Sequence, residues 1–100
     1  MAVVLRFTPQ NMTAAKYDEV VKRLEKAGAG APAGRLYHVC FGDKNNLRVS
    51  DLWDSRESFE RFGLTLKPVL NELGIDPGEP EVIEVYNIIE GTKTATAKPF

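Results

Sequence analysis

The order of the hydrophobic patterns along the chain is the feature that most limits its fold. Four segments rich in β-branched and aromatic residues are predicted to be strands: residues 2–8, 35–41, 47–54 and 81–89. After the first and the third of these segments, apolar residues recur at helical spacing. The order strand–helix–strand–strand–helix–strand predicts an α+β, ferredoxin-like domain with a four-stranded antiparallel sheet and both helices on one face.

Single residues predict the ends of both helices. Thr13 is the candidate N-cap of the first helix, with Asn11 as the alternative, and Ser55 is the candidate N-cap of the second. Gly74 is expected to end the second helix. Pro68 lies inside the apolar stripe of that helix and is expected to kink or split it, because proline lacks an N–H and clashes with the preceding turn.

Composition narrows the class of protein. The chain has 100 residues and a formal net charge of −1, so we expect one domain over residues 1–90 and no binding of nucleic acid. A single cysteine, Cys40, and a single histidine argue against an internal disulfide and a zinc cluster, and no cofactor is predicted. No apolar run approaches the roughly 20 residues of a membrane span, and no signal peptide is visible. We therefore expect a cytoplasmic protein without membrane contact.

Both faces of the predicted sheet are apolar, although the helices can cover only one. The second face is predicted to carry Val4, Tyr37, Val39, Phe41, Leu52, Ile83 and Val85, together with Arg6 and Arg48. A bare four-stranded face of roughly 400 Å² is as large as the patches that are often functional in monomers. We expect a homodimer in which a second sheet covers it, and a monomer with scattered apolar surface residues is the alternative.

The C-terminal residues 91–100, GTKTATAKPF, show no hydrophobic period. Such a tail normally frays. Docking of this tail on the partner subunit is the alternative that the expected dimer offers.

Three segments resemble the dimeric α/β-barrel superfamily that includes the antibiotic-biosynthesis monooxygenases. They are the strand MAVVLRFTP, the hairpin LYHVCFGDKNNLRVSDLW and the junction DLWDSRESFERF, which contains Trp53, Ser55 and Phe59. The resemblance covers residues 1–90. It implies that two ferredoxin-like sheets pack face to face as a dimer and that ligands enter a cleft between the sheet and the helices of each subunit.

The resemblance also limits the activity. Members include cofactor-free quinone-forming oxygenases, haem-degrading enzymes and muconolactone-type isomerases. Trp53 matches a tryptophan of the haem-degrading members, but the second helix, FERFGLTL, lacks their histidine and the first strand lacks their asparagine. Haem degradation is therefore disfavoured. The absent helix histidine, common in small oxygenase-like members, also weakens an oxygenase assignment.

His38 and Asp51 are the candidate acid–base pair. The predicted hairpin register places His38 directly opposite Asp51, and it places Leu36 opposite Trp53 on the same face. A neighbouring carboxylate orients an imidazole as acid–base catalysis requires. The alternative is that His38 is half-buried and that its hydrogen bond to the carboxylate has only a structural role.

Aromatic side chains are expected around this pair. Trp53 and Tyr86 are predicted to share its face, Tyr17 lies above it on the first helix, and Phe59 and Phe62 come from the second helix. Together they would line a cavity for a flat organic ligand, and ordinary core packing is the alternative.

Two functional hypotheses follow from these residues. The first is a small-molecule-binding protein, a cofactor-independent monooxygenase or isomerase that acts on a small aromatic or hydrophobic compound. His38 and Asp51 would be its acid–base pair, with Trp53 and Tyr86 as pocket walls. The second is a non-enzymatic, stress-related or structural dimer whose pocket is filled by side chains.

Overall fold

The computed structural model describes residues 1–91, which form two helices and one four-stranded sheet. In chain order the elements are β1 (Val3–Phe7), α1 (Ala14–Lys26), β2 (Arg35–Asp43), β3 (Asn46–Trp53), α2 (Arg56–Glu72) and β4 (Glu81–Glu84). The sheet order is β2-β3-β1-β4, and every neighbouring pair is antiparallel. The predicted ferredoxin-like fold is confirmed. Apart from Gly91, the tail of residues 91–100 lies outside the described residues.

The β2–β3 hairpin has the predicted register at its centre and a different one at its open end. His38 pairs with Asp51, as predicted. A β-bulge at the start of β2 makes Arg35, rather than Leu36, the partner of Trp53. The predicted pairing of Leu36 is wrong because Leu36 is the extra residue of the bulge, and 54% of it is exposed.

The fourth strand is shorter than predicted. It ends at Glu84, which pairs with Val3, the first residue of β1. One further main-chain hydrogen bond, 3.0 Å long, joins the Val85 N–H to the Ala2 carbonyl. Because β1 offers no more residues for pairing, the chain leaves the sheet and bends at Tyr86, which is fully exposed.

Both helices begin at the predicted residues. The Thr13 hydroxyl accepts a hydrogen bond from the Lys16 N–H at 3.2 Å, and the Ser55 hydroxyl accepts one from the Ser58 N–H at 3.1 Å. α2 continues through Pro68 for a further turn, so the helix is not split there.

A glycine ends α2 in a way that ties the helix to the core. Gly74 has φ +66°, and its N–H donates to the Asn71 carbonyl at 3.1 Å. The Ile75 N–H donates to the Leu70 carbonyl at 2.9 Å, and both of these apolar residues are buried. This is a Schellman motif with its usual hydrophobic contact. α1 ends in the same hydrogen-bond pattern around Gly28.

The core lies between the helices and one face of the sheet. At its centre, Leu5 and Trp53 are completely buried. The Phe59 ring meets the edge of the Trp53 ring at a centroid distance of 5.6 Å. The other buried apolar residues pack around this centre: Val3, Met12, Val20, Leu24, Leu47, Phe62, Val69, Leu70 and Ile75.

No element formed by residues 1–91 covers the opposite face of the sheet. Tyr37 is 66% exposed there, and Val39, Phe41 and Ile83 are also exposed. The Arg48 guanidinium lies 4.9 Å from the centre of the Phe41 ring. The apolar character predicted for this face is therefore present.

Two glycines are expected to respond in opposite ways to replacement by alanine. Gly34, just before β2, has φ +91°, and a Cβ there would lie 2.5 Å from the Ser58 side chain. Gly34→Ala should lower the free energy of unfolding by about 1–3 kcal/mol, because both the backbone and the contact are strained. Gly63 lies inside α2, where a Cβ would meet only the end of Lys67 at 4.0 Å. Gly63→Ala should raise it by about 0.5–1 kcal/mol.

Urea denaturation of both variants measures these changes. A Gly34→Ala protein as stable as the wild type would contradict the close approach between the loop and α2.

Candidate active site

Three side chains on the helix-covered face form a continuous chain of hydrogen bonds. His38 and Asp51 face each other across the hairpin, with 2.6 Å between His38 Nδ1 and Asp51 Oδ1. On the other side of the imidazole, Nε2 lies 2.6 Å from the hydroxyl of Tyr17 in α1. A carboxylate can only accept, so Nδ1–H donates to Asp51. The unprotonated Nε2 of the neutral ring then accepts from Tyr17.

The Asp51 carboxylate is buried and fully paired. Its side chain is only 6% exposed. Its second oxygen accepts a hydrogen bond from the Trp53 indole N–H at 3.3 Å. Asp51 and Trp53 are two positions apart along β3, so their side chains leave the sheet on the same face. The carboxylate is thereby held in place and fixes the orientation of the His38 ring.

Tyr17 packs on the imidazole as well as bonding to it. The two rings are nearly parallel, 5° apart, with their centres separated by 6.0 Å. Burial is the main cause that raises the pKa of Tyr17 above its ordinary value, and the nearby Cys40 thiol adds to the rise. The hydroxyl therefore keeps its proton near neutral pH. Burial also raises the pKa of Cys40, which favours the thiol over a nucleophilic thiolate.

A cavity of about 180 Å³ opens beside the Tyr17–His38–Asp51 hydrogen-bond chain, between the helices and the sheet. Most of its lining is apolar and comes from both helices and from β1 and β3, including Phe7, Val20, Leu24, Val49, Phe62 and Leu66. Tyr17, His38, Asp51 and Arg35 add polar groups to the wall. An apolar cavity with a few convergent polar side chains is typical of a site for a small organic molecule.

Four of the predicted site residues line this cavity: Tyr17, His38, Asp51 and Phe62. Trp53 and Phe59 instead pack into the core behind it, where Trp53 supports Asp51. Tyr86 takes no part in the wall, because β4 ends before it and leaves its side chain in solvent. The expectation that Tyr86 forms a pocket wall is therefore wrong.

Arg35 is the site residue that the sequence does not predict. Regular alternation along β2 would put Leu36 on the cavity side and Arg35 on the other. The bulge reverses this, because Arg35 pairs with Trp53 and lines the cavity. No residue type in the segment signals the bulge beforehand.

Two features of residues 1–91 bear on metal binding and on membrane insertion. Within that range, no group of three or more His, Cys, Asp or Glu side chains is arranged to hold a metal ion. Neither of its helices combines the length and the apolar character needed to cross a membrane.

Comparison with known proteins relates the chain to one group of solved structures. No protein-family model and no curated protein sequence matches it. SnoaB, a cofactor-independent oxygenase from Streptomyces nogalater, is similar at 21% identity over 90% of this chain and 96% of SnoaB, with a TM-score of 0.58. A proposed antibiotic biosynthesis monooxygenase from Chloroflexus aurantiacus is similar at 19% identity, over 91% of this chain and 100% of that one, with a TM-score of 0.60.

A second proposed antibiotic biosynthesis monooxygenase, from Deinococcus radiodurans, has a TM-score of 0.60 at 13% identity, over 92% of this chain and 99% of that one. At such low identities the likeness concerns the backbone. The chain has the fold of the antibiotic biosynthesis monooxygenase-like proteins, and the resemblance seen in the sequence is confirmed at that level.

The Tyr17 hydroxyl makes the free energy of unfolding depend on pH, and the sign of this dependence follows from its raised pKa. Its pKa is raised by folding, so its contribution to stability is fully present below the ordinary tyrosine pKa of about 10 and is lost as the pH rises through the raised value. The free energy of unfolding of the wild type should therefore fall more steeply above about pH 10 than that of Tyr17→Phe. Denaturation at a series of alkaline pH values measures both slopes.

Tyr86→Phe is the matched control, because Tyr86 is fully exposed and lies outside both the cavity and the paired strands. It should follow the wild type. Equal slopes for the wild type and Tyr17→Phe would show that the Tyr17 hydroxyl is not buried as described.

Proposed function

We propose that the cavity binds a small aromatic or hydrophobic compound and that the Tyr17–His38–Asp51 chain removes a proton from it. This step would begin a cofactor-independent oxygenation or an isomerisation. The observation that carries the proposal is the position of these three hydrogen-bonded side chains: an imidazole oriented by a buried carboxylate lies in the wall of an apolar cavity. General acid–base catalysis requires this combination of an oriented base and access to the ligand.

The directions of the hydrogen bonds define the path of the proton. The Tyr17 oxygen takes the proton of the ligand while its own proton passes to His38 Nε2, 2.6 Å away. Tyr17 then remains neutral throughout, which agrees with its raised pKa. The products are a ligand anion and an imidazolium. The Asp51 carboxylate, 2.6 Å from Nδ1, stabilises the imidazolium.

Proton removal is the step that the two candidate reactions share. An electron-rich carbanion or phenolate can react with O₂ directly, and SnoaB, which has the same fold, is a cofactor-independent oxygenase. In an isomerisation, the imidazolium returns the proton to a different carbon of the same ligand. The open cavity beside His38 counts against the alternative of a non-enzymatic dimer with a filled pocket.

Benzyl methyl ketone, a small aromatic ketone with acidic benzylic hydrogens, tests this function. We expect the wild type to accelerate exchange of these hydrogens for deuterium in heavy water, measured by NMR. His38→Ala and Tyr17→Phe should each lose the acceleration by about 100-fold or more, the size of effect that general acid–base catalysis contributes. Oxygen uptake in the same mixture separates an oxygenase from an isomerase.

The exposed Tyr86→Phe variant is again the control and should exchange at the wild-type rate. An unchanged rate in His38→Ala would contradict the catalytic role of the histidine.

We also propose that the uncovered sheet face binds a second copy of the chain. Tyr37 and Ile83 lie at the two ends of one register row across the four strands, so the exposed apolar side chains of this face are neighbours rather than isolated positions. Arg6 and Glu81, which pair in register, lie on it together with Arg48, so it carries both signs of charge. A surface with both signs can complement itself across a two-fold axis.

Replacing Phe41 by Glu should convert this dimer to a monomer, because the new charge would be buried between the sheets without a partner. Sedimentation at micromolar concentration measures the mass of the species. Leu64→Glu, at a 78% exposed position on α2, is the control and should remain dimeric. A wild-type protein that sediments as a single chain would refute the interface.

A further inference from the structure

The bulge in β2 brings a cation to the wall of an otherwise apolar cavity. Arg35 is half-buried and lines the cavity together with Tyr17 and His38. One of its guanidinium N–H groups donates to the Gly30 carbonyl at 3.1 Å. The centre of the guanidinium lies 5.9 Å from the centre of the Phe62 ring, which also lines the cavity. These two contacts hold the head group at the cavity wall.

Among the described residues, no acidic side chain lies within ion-pair distance of the Arg35 guanidinium. None of the ion pairs formed within residues 1–91 includes this side chain. Asp51, the acidic residue of the cavity wall, already accepts from His38 and Trp53. A guanidinium has five N–H donors, and within residues 1–91 only one of those of Arg35 is engaged by a protein acceptor. The unused donors can therefore serve a ligand.

We propose that Arg35 binds an anionic group of the ligand, so that the preferred ligand of the cavity is a small aromatic acid. The planar fork of a guanidinium matches the two oxygens of a carboxylate, and charge-assisted hydrogen bonds of this kind are roughly twice as strong as neutral ones. This inference rests on the proposed binding of an aromatic compound in the same cavity. It adds the chemical class of that compound and the residue that selects it.

The dimensions of the cavity agree with this class. An engineered apolar cavity of about 150 Å³ holds benzene. A cavity of about 180 Å³ therefore accommodates one substituted aromatic ring. A ring bound between the helices would have its carboxylate at Arg35 and its reacting group toward Tyr17.

Arg35 also acts on the proposed proton chain through its charge. Burial raises the pKa of Tyr17, and the positive charge of Arg35 opposes that rise. The cation is thus close enough to the Tyr17 hydroxyl to interact with it electrostatically. A ligand whose carboxylate neutralises Arg35 would extend from the cation to the proton-accepting end of the chain.

Binding of two probes that differ only in charge tests the inference. The probes are para-hydroxybenzoate and its neutral analogue para-hydroxybenzamide, measured by isothermal titration calorimetry near neutral pH. The wild type should bind the carboxylate at least about tenfold more tightly than the amide, as expected for hydrogen bonds to a charged group. Arg35→Gln should abolish this preference while leaving the affinity for the amide within about twofold of the wild type.

Two other variants complete the test. Arg56→Gln, at the exposed start of α2, removes the same charge without touching the cavity and should keep the wild-type preference. Arg35→Lys keeps the charge but not the planar fork, and it should show a preference between those of the wild type and Arg35→Gln. If circular dichroism shows that Arg35→Gln is unfolded, Arg35→Lys decides: a preference weaker than that of the wild type supports the role of Arg35, and an unchanged preference overturns it.

The outcomes separate this inference from the proposed function. Equal affinities of the wild type for acid and amide would overturn the role of Arg35, while deuterium exchange that depends on His38 would still support the proposed function. An acid preference that persists in Arg35→Gln would also overturn it. If neither probe binds and His38→Ala exchanges benzyl methyl ketone at the wild-type rate, both proposals fail.

Discussion

The buried carboxylate of Asp51 is the constraint on which the rest of the site depends. A charged group that is nearly excluded from water destabilises a fold by several kcal/mol unless donors satisfy it. Here both donors come from neighbouring positions on the sheet: His38 lies directly across the hairpin and Trp53 two residues farther along the same strand. The register of the hairpin, the tautomer of the imidazole and the direction of the indole N–H therefore depend on one another.

The Asp51 carboxylate lies at the boundary between the packed core and the open cavity. Trp53 belongs to both, because its ring fills the centre of the core and its N–H supports Asp51. Toward β2 the wall of the interior carries His38 and Arg35 where a well-packed domain would place aliphatic side chains. Polar groups on that wall cannot be buried against apolar helix side chains without loss of hydrogen bonds. A solvent-accessible cavity beside these polar groups lets them keep their hydrogen bonds.

Much of the fold could be predicted from the sequence, because local residues specify it. The element order follows from hydrophobic periods, and the caps at Thr13 and Ser55 follow from residue type. The pairing of His38 with Asp51 follows from the position of the turn, because a short hairpin turn fixes the register near it.

The sequence-based predictions are wrong where contacts between distant parts of the sequence determine the backbone conformation. The bulge follows Gly34, whose carbonyl accepts from the Asp54 N–H at 2.8 Å and whose missing Cβ lets the loop approach α2. The end of β4 depends on the length of β1, not on the apolar residues that follow Glu84. The sequence therefore predicts neither Arg35 at the cavity wall nor the exposure of Tyr86, although it predicts the pairing of His38 with Asp51.

Gly34 has a consequence for how such proteins diverge. It lies outside the cavity, yet the backbone path at this corner decides which of two adjacent side chains, one cationic and one aliphatic, faces the interior. Relaxing the corner would let the two exchange places without any substitution among the lining residues. Homologues with the same set of residues around the cavity can thus differ in the polarity of the molecules they admit, and comparison of lining residues alone would not reveal the change.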